Sequence, residues 1–144
     1  MNWMILFLVF LAGAATAIQA GVNGGLGKKI GIIEAAFVSF VIGTVFLFIL
    51  LIFLKQGNLL HVFQVPRWQL TGGLLGATYI LIMVVAVPKI GIASSLVTLI
   101  VGQLFFSTLI DHFGLLGNEP ILLSSKRMGG FVLMAIAIFL FYKK

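Results

Sequence analysis

Few side chains in this sequence can do chemistry, and most of those lie inside long apolar runs. Glu34 is the one acidic residue within an apolar segment, while Gln103, Ser107 and Asp111 recur every fourth residue in another. A carboxylate in hydrocarbon is costly, so intramembrane acids are rare and mark ion or solute paths. As a functional group, Glu34 is a proton site or the counter-ion of a cationic solute. Its structural reading is a first-turn residue near the headgroups, stabilised by the helix dipole and by Lys28 or Lys29. Residues at i, i+4 and i+8 share a helix face. Gln103, Ser107 and Asp111 therefore form a polar stripe that suits a helix interface or a solute path better than lipid. Gln19 and Asn23 are also one turn apart and can bond across helices, touch a solute, or cap a helix end. Ser39 lies in the same run as Glu34.

The elements that hold these groups follow from composition. The chain has 144 residues, of which 62% are hydrophobic and 8% charged. That balance excludes an ordinary soluble domain and defines a polytopic membrane protein. The apolar runs have helix length, and helices satisfy every backbone group within the segment. The expected fold is all-α and integral to the membrane, one domain with spans at about 3–21, 30–54, 70–87, 91–110 and 128–142. In the first span, Ala-Thr-Ala and Ile-Gln-Ala steps mimic a signal-peptide cleavage site, but no Lys or Arg precedes the run, so a retained helix is expected. The glycines of Val22 to Gly27 are expected to end that helix.

Small residues four apart let helices approach closely. Such rows are Gly13, Ala17 and Gly21; Ala35, Ser39 and Gly43; Gly72 and Gly76; and Ser94, Thr98 and Gly102. The loop from Lys55 to Gln69 carries Leu59, Leu60 and Phe63 for the interface and Trp68 for an aromatic belt. A second loop holds Asn118, Glu119 and Pro120. Pro88, Lys89 and Gly91 make a short connection, which makes spans three and four antiparallel neighbours. Asp111 and His112 close the fourth span as structural polar or gating residues, by ion pairing or capping. An acid at a helix C-terminus opposes the dipole, so Asp111 needs a partner, with Lys126, Arg127 and His112 as the candidates. His61, with no acidic or cysteine partner nearby, is a loop histidine rather than a metal ligand.

The chain has no cysteine, hence no disulfide framework and no thiolate chemistry. Its net charge of +6 sits singly or in pairs at the ends of apolar runs, as membrane anchors do, so no nucleic-acid partner is expected. No metal or other cofactor is expected, and no internal repeat is visible. Five crossings place Lys55, Arg67, Lys126 and Arg127 on one side and Lys28, Lys29, Lys89, Lys143 and Lys144 on the other. Orientation normally follows an excess of Lys and Arg on the cytoplasmic face. Near balance points to insertion both ways up and to an antiparallel homodimer, against the alternative of one fixed orientation.

In this order the motifs resemble the YdcZ-type family, half-size members of the drug/metabolite transporter superfamily. The resemblance rests on Gln19 to Gly27 with Asn23 and Leu26-Gly27, Ser39-Phe40 with Gly43, and Gly72-Gly73 with Gly76. It continues with Pro88 and Gly91, and with Gly102-Gln103, Ser107 and Asp111-His112-Phe113-Gly114. It implies a five-helix protein of the bacterial inner membrane whose relatives are thought to form antiparallel dimers. The related small multidrug resistance exporters move cations with a membrane-embedded glutamate in their first helix, whereas Glu34 opens the second.

The leading reading is a secondary transporter, a proton-coupled exporter of a small polar or cationic solute, working as an inverted homodimer or with a homologous subunit. Glu34, Gln19, Asn23, Ser39, Gln103 and Ser107 are its candidate binding and coupling residues. A channel made by the same inverted pair, or a membrane adaptor without transport, are the alternatives. An enzyme fits worst, because no nucleophile, base and orienting group can be assembled from so few ionisable residues.

Overall fold

A computed structural model describes residues 2–54, 57–117 and 119–142. Lys55, Gln56, Asn118, Lys143 and Lys144, which enter the loop and charge readings above, lie outside the described residues. Among the described residues there are five α-helices: α1 (Trp3–Ile30), α2 (Ile32–Leu54), α3 (Gly72–Ile90), α4 (Ile92–Phe113) and α5 (Ser125–Phe141). Short 3-10 turns cover Leu59–Phe63, Arg67–Thr71 and Leu115–Gly117. Four helices are long and apolar enough to cross a membrane, α3 together with the turn before it. The fifth has 17 residues, a rise of roughly 26 Å. Two compact units are resolved, Met1–Pro88 and Lys89–Lys144.

In the first unit, α1 is 28 residues long and passes through the glycine-rich stretch that was expected to stop it. The reason is packing. Gly24 and Gly27 sit against α3, where a Cβ on Gly24 would come 3.0 Å from Val87 Cγ1 and one on Gly27 would collide with Val84 Cγ1. Ala35, Ala36, Ile80 and Val84 form the core of this unit, with Leu26, Phe40 and Tyr79 packed around it. In an apolar surround no water competes for backbone groups, so a helix tolerates glycines that would end it in water.

The expected small-residue rows pack only in part. A Cβ at Gly13, Gly43, Gly72 or Gly102 would meet nothing within 4 Å, whereas one at Gly76 would touch Phe40 and Ala35 is fully buried. The i, i+4 spacing identifies a smooth face but not what lies opposite it. Ala17 and Gly21 are half-buried.

The helix link itself is one residue. Gly31 has φ 106° and ψ 158° between α1 and α2, and Gly91 has φ 84° and ψ 162° between α3 and α4. Gly31 O accepts from Ala35 N at 3.1 Å, and Gly91 O accepts from Ser95 N at 3.2 Å. Both glycines stand in the same four-residue string, Lys29-Ile30-Gly31-Ile32 and Lys89-Ile90-Gly91-Ile92. A short repeat is therefore present where none was expected; four residues are too few to show as a period. Pro88 also lies inside the last turn of α3 rather than in a loop.

Side chains avoid positive φ because Cβ crowds the carbonyl. Gly31→Ala and Gly91→Ala should each lower stability by roughly 1–2 kcal/mol. The two losses should be similar, because the Glu34 carboxylate over Gly31 is the far end of a flexible, exposed side chain that can swing aside, and the space at Gly91 is open. Thermal unfolding in detergent measures both, and a substitution that left stability unchanged at either position would contradict the stated geometry.

In the second unit, α5 starts earlier than expected because the Ser124 hydroxyl caps it, accepting from Arg127 N at 3.4 Å. Ser94, buried in the first turn of α4, donates to Phe141 O at 2.6 Å. That bond satisfies a carbonyl that the end of α5 would otherwise leave unpaired. Phe105 and Phe131 meet edge to face, 6.1 Å apart, between the same two helices. Gly114, in the left-handed region, closes α4.

Candidate functional site

The polar candidates gather in two clefts, one in each unit. Between α1 and α2 a cleft of about 440 Å³ is lined by Gln19, Asn23 and Ser39 among apolar residues such as Ile18, Leu26 and Ile42. Asn23 is 6% exposed, and its Nδ2 donates to Ser39 Oγ at 3.2 Å. A buried amide without a partner costs kilocalories, so this bond both stabilises the hairpin and holds the amide at the cleft wall. The capping reading of Asn23 does not hold, since α1 continues seven residues beyond it to Ile30. Gln19 lies one turn along, exposed, on the same wall.

Between α4 and α5 a second cleft, about 280 Å³, is lined by Ser107, Thr108, Asp111 and Arg127 at one end and by Leu104, Phe131 and Met134 at the other. Asp111 Oδ2 stands 3.6 Å from an Arg127 guanidinium nitrogen. Of the three partners considered for Asp111, Arg127 is the one the structure pairs with it. The Asp111 carbonyl also accepts from Ile121 N at 2.8 Å, which ties the chain after α4 back to the end of that helix. His112 does not share in this pair. Among the described residues its Nδ1 is buried without a hydrogen bond, and its ring packs on Phe113 at 5.0 Å.

The remaining candidates stand apart. Gln103 is exposed and lines neither cleft. Glu34 is exposed in the first turn of α2, with its carboxylate folded back over Gly31. Among the described residues it forms no ion pair with Lys28 or Lys29. Reasoning from spacing passed over Thr108, because its hydroxyl sits one position round from the stripe and bonds Leu104 O at 2.7 Å.

Long apolar helices, single-residue links and clefts with few polar groups define a multi-pass, all-α membrane protein. The chain belongs to the family described as "Putative inner membrane exporter, YdcZ", which it matches over residues 4–140. The match takes in both clefts and all five helices but for the first residue of α1 and the last of α5, and it places the protein in a family described as an inner-membrane exporter. No curated protein and no solved structure matches the chain.

Proposed function

We propose that the protein is a proton-coupled exporter of a small polar or cationic solute and that it works as an inverted homodimer. The observation that carries this reading is the Asn23–Ser39 bond inside an otherwise apolar cleft that Gln19 also lines. Three hydrogen-bonding side chains on the wall of a hydrophobic cleft replace water around a solute without binding it too tightly to release. In the other unit, Gln103 and Ser107 are the α4 side chains that this reading assigns to the solute. Glu34 begins the helix that carries Ser39, roughly 7.5 Å along the axis from it by helical rise. There its carboxylate takes either a proton or a cation but not both, and that competition couples the two fluxes. Faces left open at Gly13, Gly43, Gly72 and Gly102 leave room for a second copy. Rocking of one copy against the other then alternates access to the cleft.

The test is proton movement in proteoliposomes driven by a panel of small organic cations. Glu34→Gln should abolish the proton signal while Asn23–Ser39 and the fold remain intact. Undiminished coupling in that variant removes Glu34 from the mechanism. Electrical recording on the same preparation separates the alternatives: large, unsaturable currents would replace the carrier with a channel.

A further inference from the structure

The cleft between α4 and α5 grades from charge to hydrocarbon along its length. Asp111 is in the last turn of α4 and Arg127 in the first turn of α5, so the ion pair lies where this hairpin ends. In a membrane-spanning hairpin that is headgroup depth. Next along the cleft come Ser107 and Thr108, then Phe131, and finally Leu104 and Met134. Asp111 to Leu104 and Arg127 to Met134 are seven residues each, roughly 10 Å of helix toward the hydrocarbon. Leu104 is 43% exposed, so the apolar end opens sideways.

The hydrogen-bonding capacity of the polar end is specific. At 3.6 Å the Asp111 and Arg127 charges are paired but not in hydrogen-bond contact, and each side chain is about one-third exposed. Both Ser107 and Thr108 donate their protons to Leu104 O, at 3.4 and 2.7 Å. Their oxygens are left as acceptors. The cleft thus offers a carboxylate and two hydroxyl oxygens to an ammonium group, and a guanidinium to a phosphate. Lys126 does not line it, so the lining is charge-balanced. An anionic head would be set against Asp111, and a purely cationic one against Arg127.

We propose that this cleft is a binding site for a zwitterionic phospholipid. The ammonium is held by Asp111 with Ser107 and Thr108, the phosphate by Arg127, and an acyl chain lies over Phe131, Leu104 and Met134. A soluble zwitterion matches the polar end but leaves the apolar end and its lateral opening unused. The site shares Ser107 with the transport reading, but its test involves no transport, so lipid retention and solute coupling can fail separately.

Delipidated protein is mixed with equal amounts of phosphatidylethanolamine, phosphatidylcholine and phosphatidylglycerol of one chain composition, and retention is read by native mass spectrometry. Phosphatidylethanolamine should be retained about tenfold over phosphatidylglycerol, the yield of one charged hydrogen bond. Phosphatidylcholine, with no ammonium N–H, should fall between them. Asp111→Asn should invert the order in favour of phosphatidylglycerol. Met134→Trp, which fills the apolar end, should lower retention of all three with helical content unchanged. Should Asp111→Asn not fold, the exchange of Asp111→Arg with Arg127→Asp keeps a pair and should keep the preference. Equal retention of the three lipids, or a ratio that Asp111→Asn leaves unmoved, overturns the proposal. Retention of glycerophosphoethanolamine, the headgroup without chains, as strongly as the lipid would assign the cleft to a soluble solute and overturn it as well.

Discussion

Gly27→Ala is expected to destabilise the protein and Gly25→Ala to stabilise it, although the residues are two apart in one helix and the chemical change is the same. Alanine is the better helix former by about 1 kcal/mol, which favours both substitutions. At Gly25 nothing lies within 4 Å of the added carbon, so that gain stands alone. At Gly27 the added carbon lands on Val84 Cγ1. Val84 is 2% exposed and β-branched, so it has no second rotamer to retreat to inside a helix. Overpacking of this kind costs roughly 1–3 kcal/mol, enough to reverse the sign.

The cause is separable from a general intolerance of position 27. Val84→Ala removes the methyl groups in the way and, alone, should cost about 2 kcal/mol in lost contacts. In combination, Gly27→Ala should return part of that loss, giving a coupling of roughly 1–3 kcal/mol in a double-mutant cycle. Unfolding midpoints of the four proteins in one detergent give the answer. Additive effects would mean that α1 and α3 do not meet at this point.

The same glycines explain which parts of the fold could be read from residues alone. Helix number and helical class were legible because runs such as Ile32–Leu54 leave the backbone no other way to satisfy itself in lipid. The end of α1 was not, because glycine stops helices in water, whereas here Gly24 and Gly27 serve contact with Val87 and Val84. Spacing also named Asn23 and Ser39 without joining them, since periodicity within a helix says nothing about what the next helix presents. The stripe on α4 shows the limit of counting by fours. Each step of four advances the helix by about 40°, so Gln103 is about 80° round from Asp111. The cleft follows Leu104, Ser107, Thr108 and Asp111 instead, and Gln103 falls outside it. Asp111 was legible as an acid in need of a cation, and Arg127 meets that need.

Fixing the protein in one orientation is expected to abolish both assembly and transport, and mixing the two fixed forms to restore them. If α5 crosses with the other four helices, four basic residues fall on one side and five on the other, a balance that would leave orientation undecided. Gln64→Lys and Gln69→Lys with Lys28→Gln changes this to six against four, while Arg67→Gln with Lys126→Gln changes it to two against five. None of these residues lines either polar cleft, so the substitutions act on insertion and not on the groups proposed to bind solute. Because the sequence has no cysteine, a single introduced cysteine in each variant reports its orientation by labelling from either side. An inverted dimer needs one copy of each kind. Each variant alone should therefore fail to copurify with a differently tagged copy of itself and fall to background in cation-driven proton movement. Expressed together, the two should copurify and recover the signal. The pairing readout stands even if the solute panel contains no substrate, so it separates failure of the dimer from failure of the coupling. A variant shown by labelling to sit one way up that still self-associates and transports at the wild-type rate would replace the inverted pair with a parallel one.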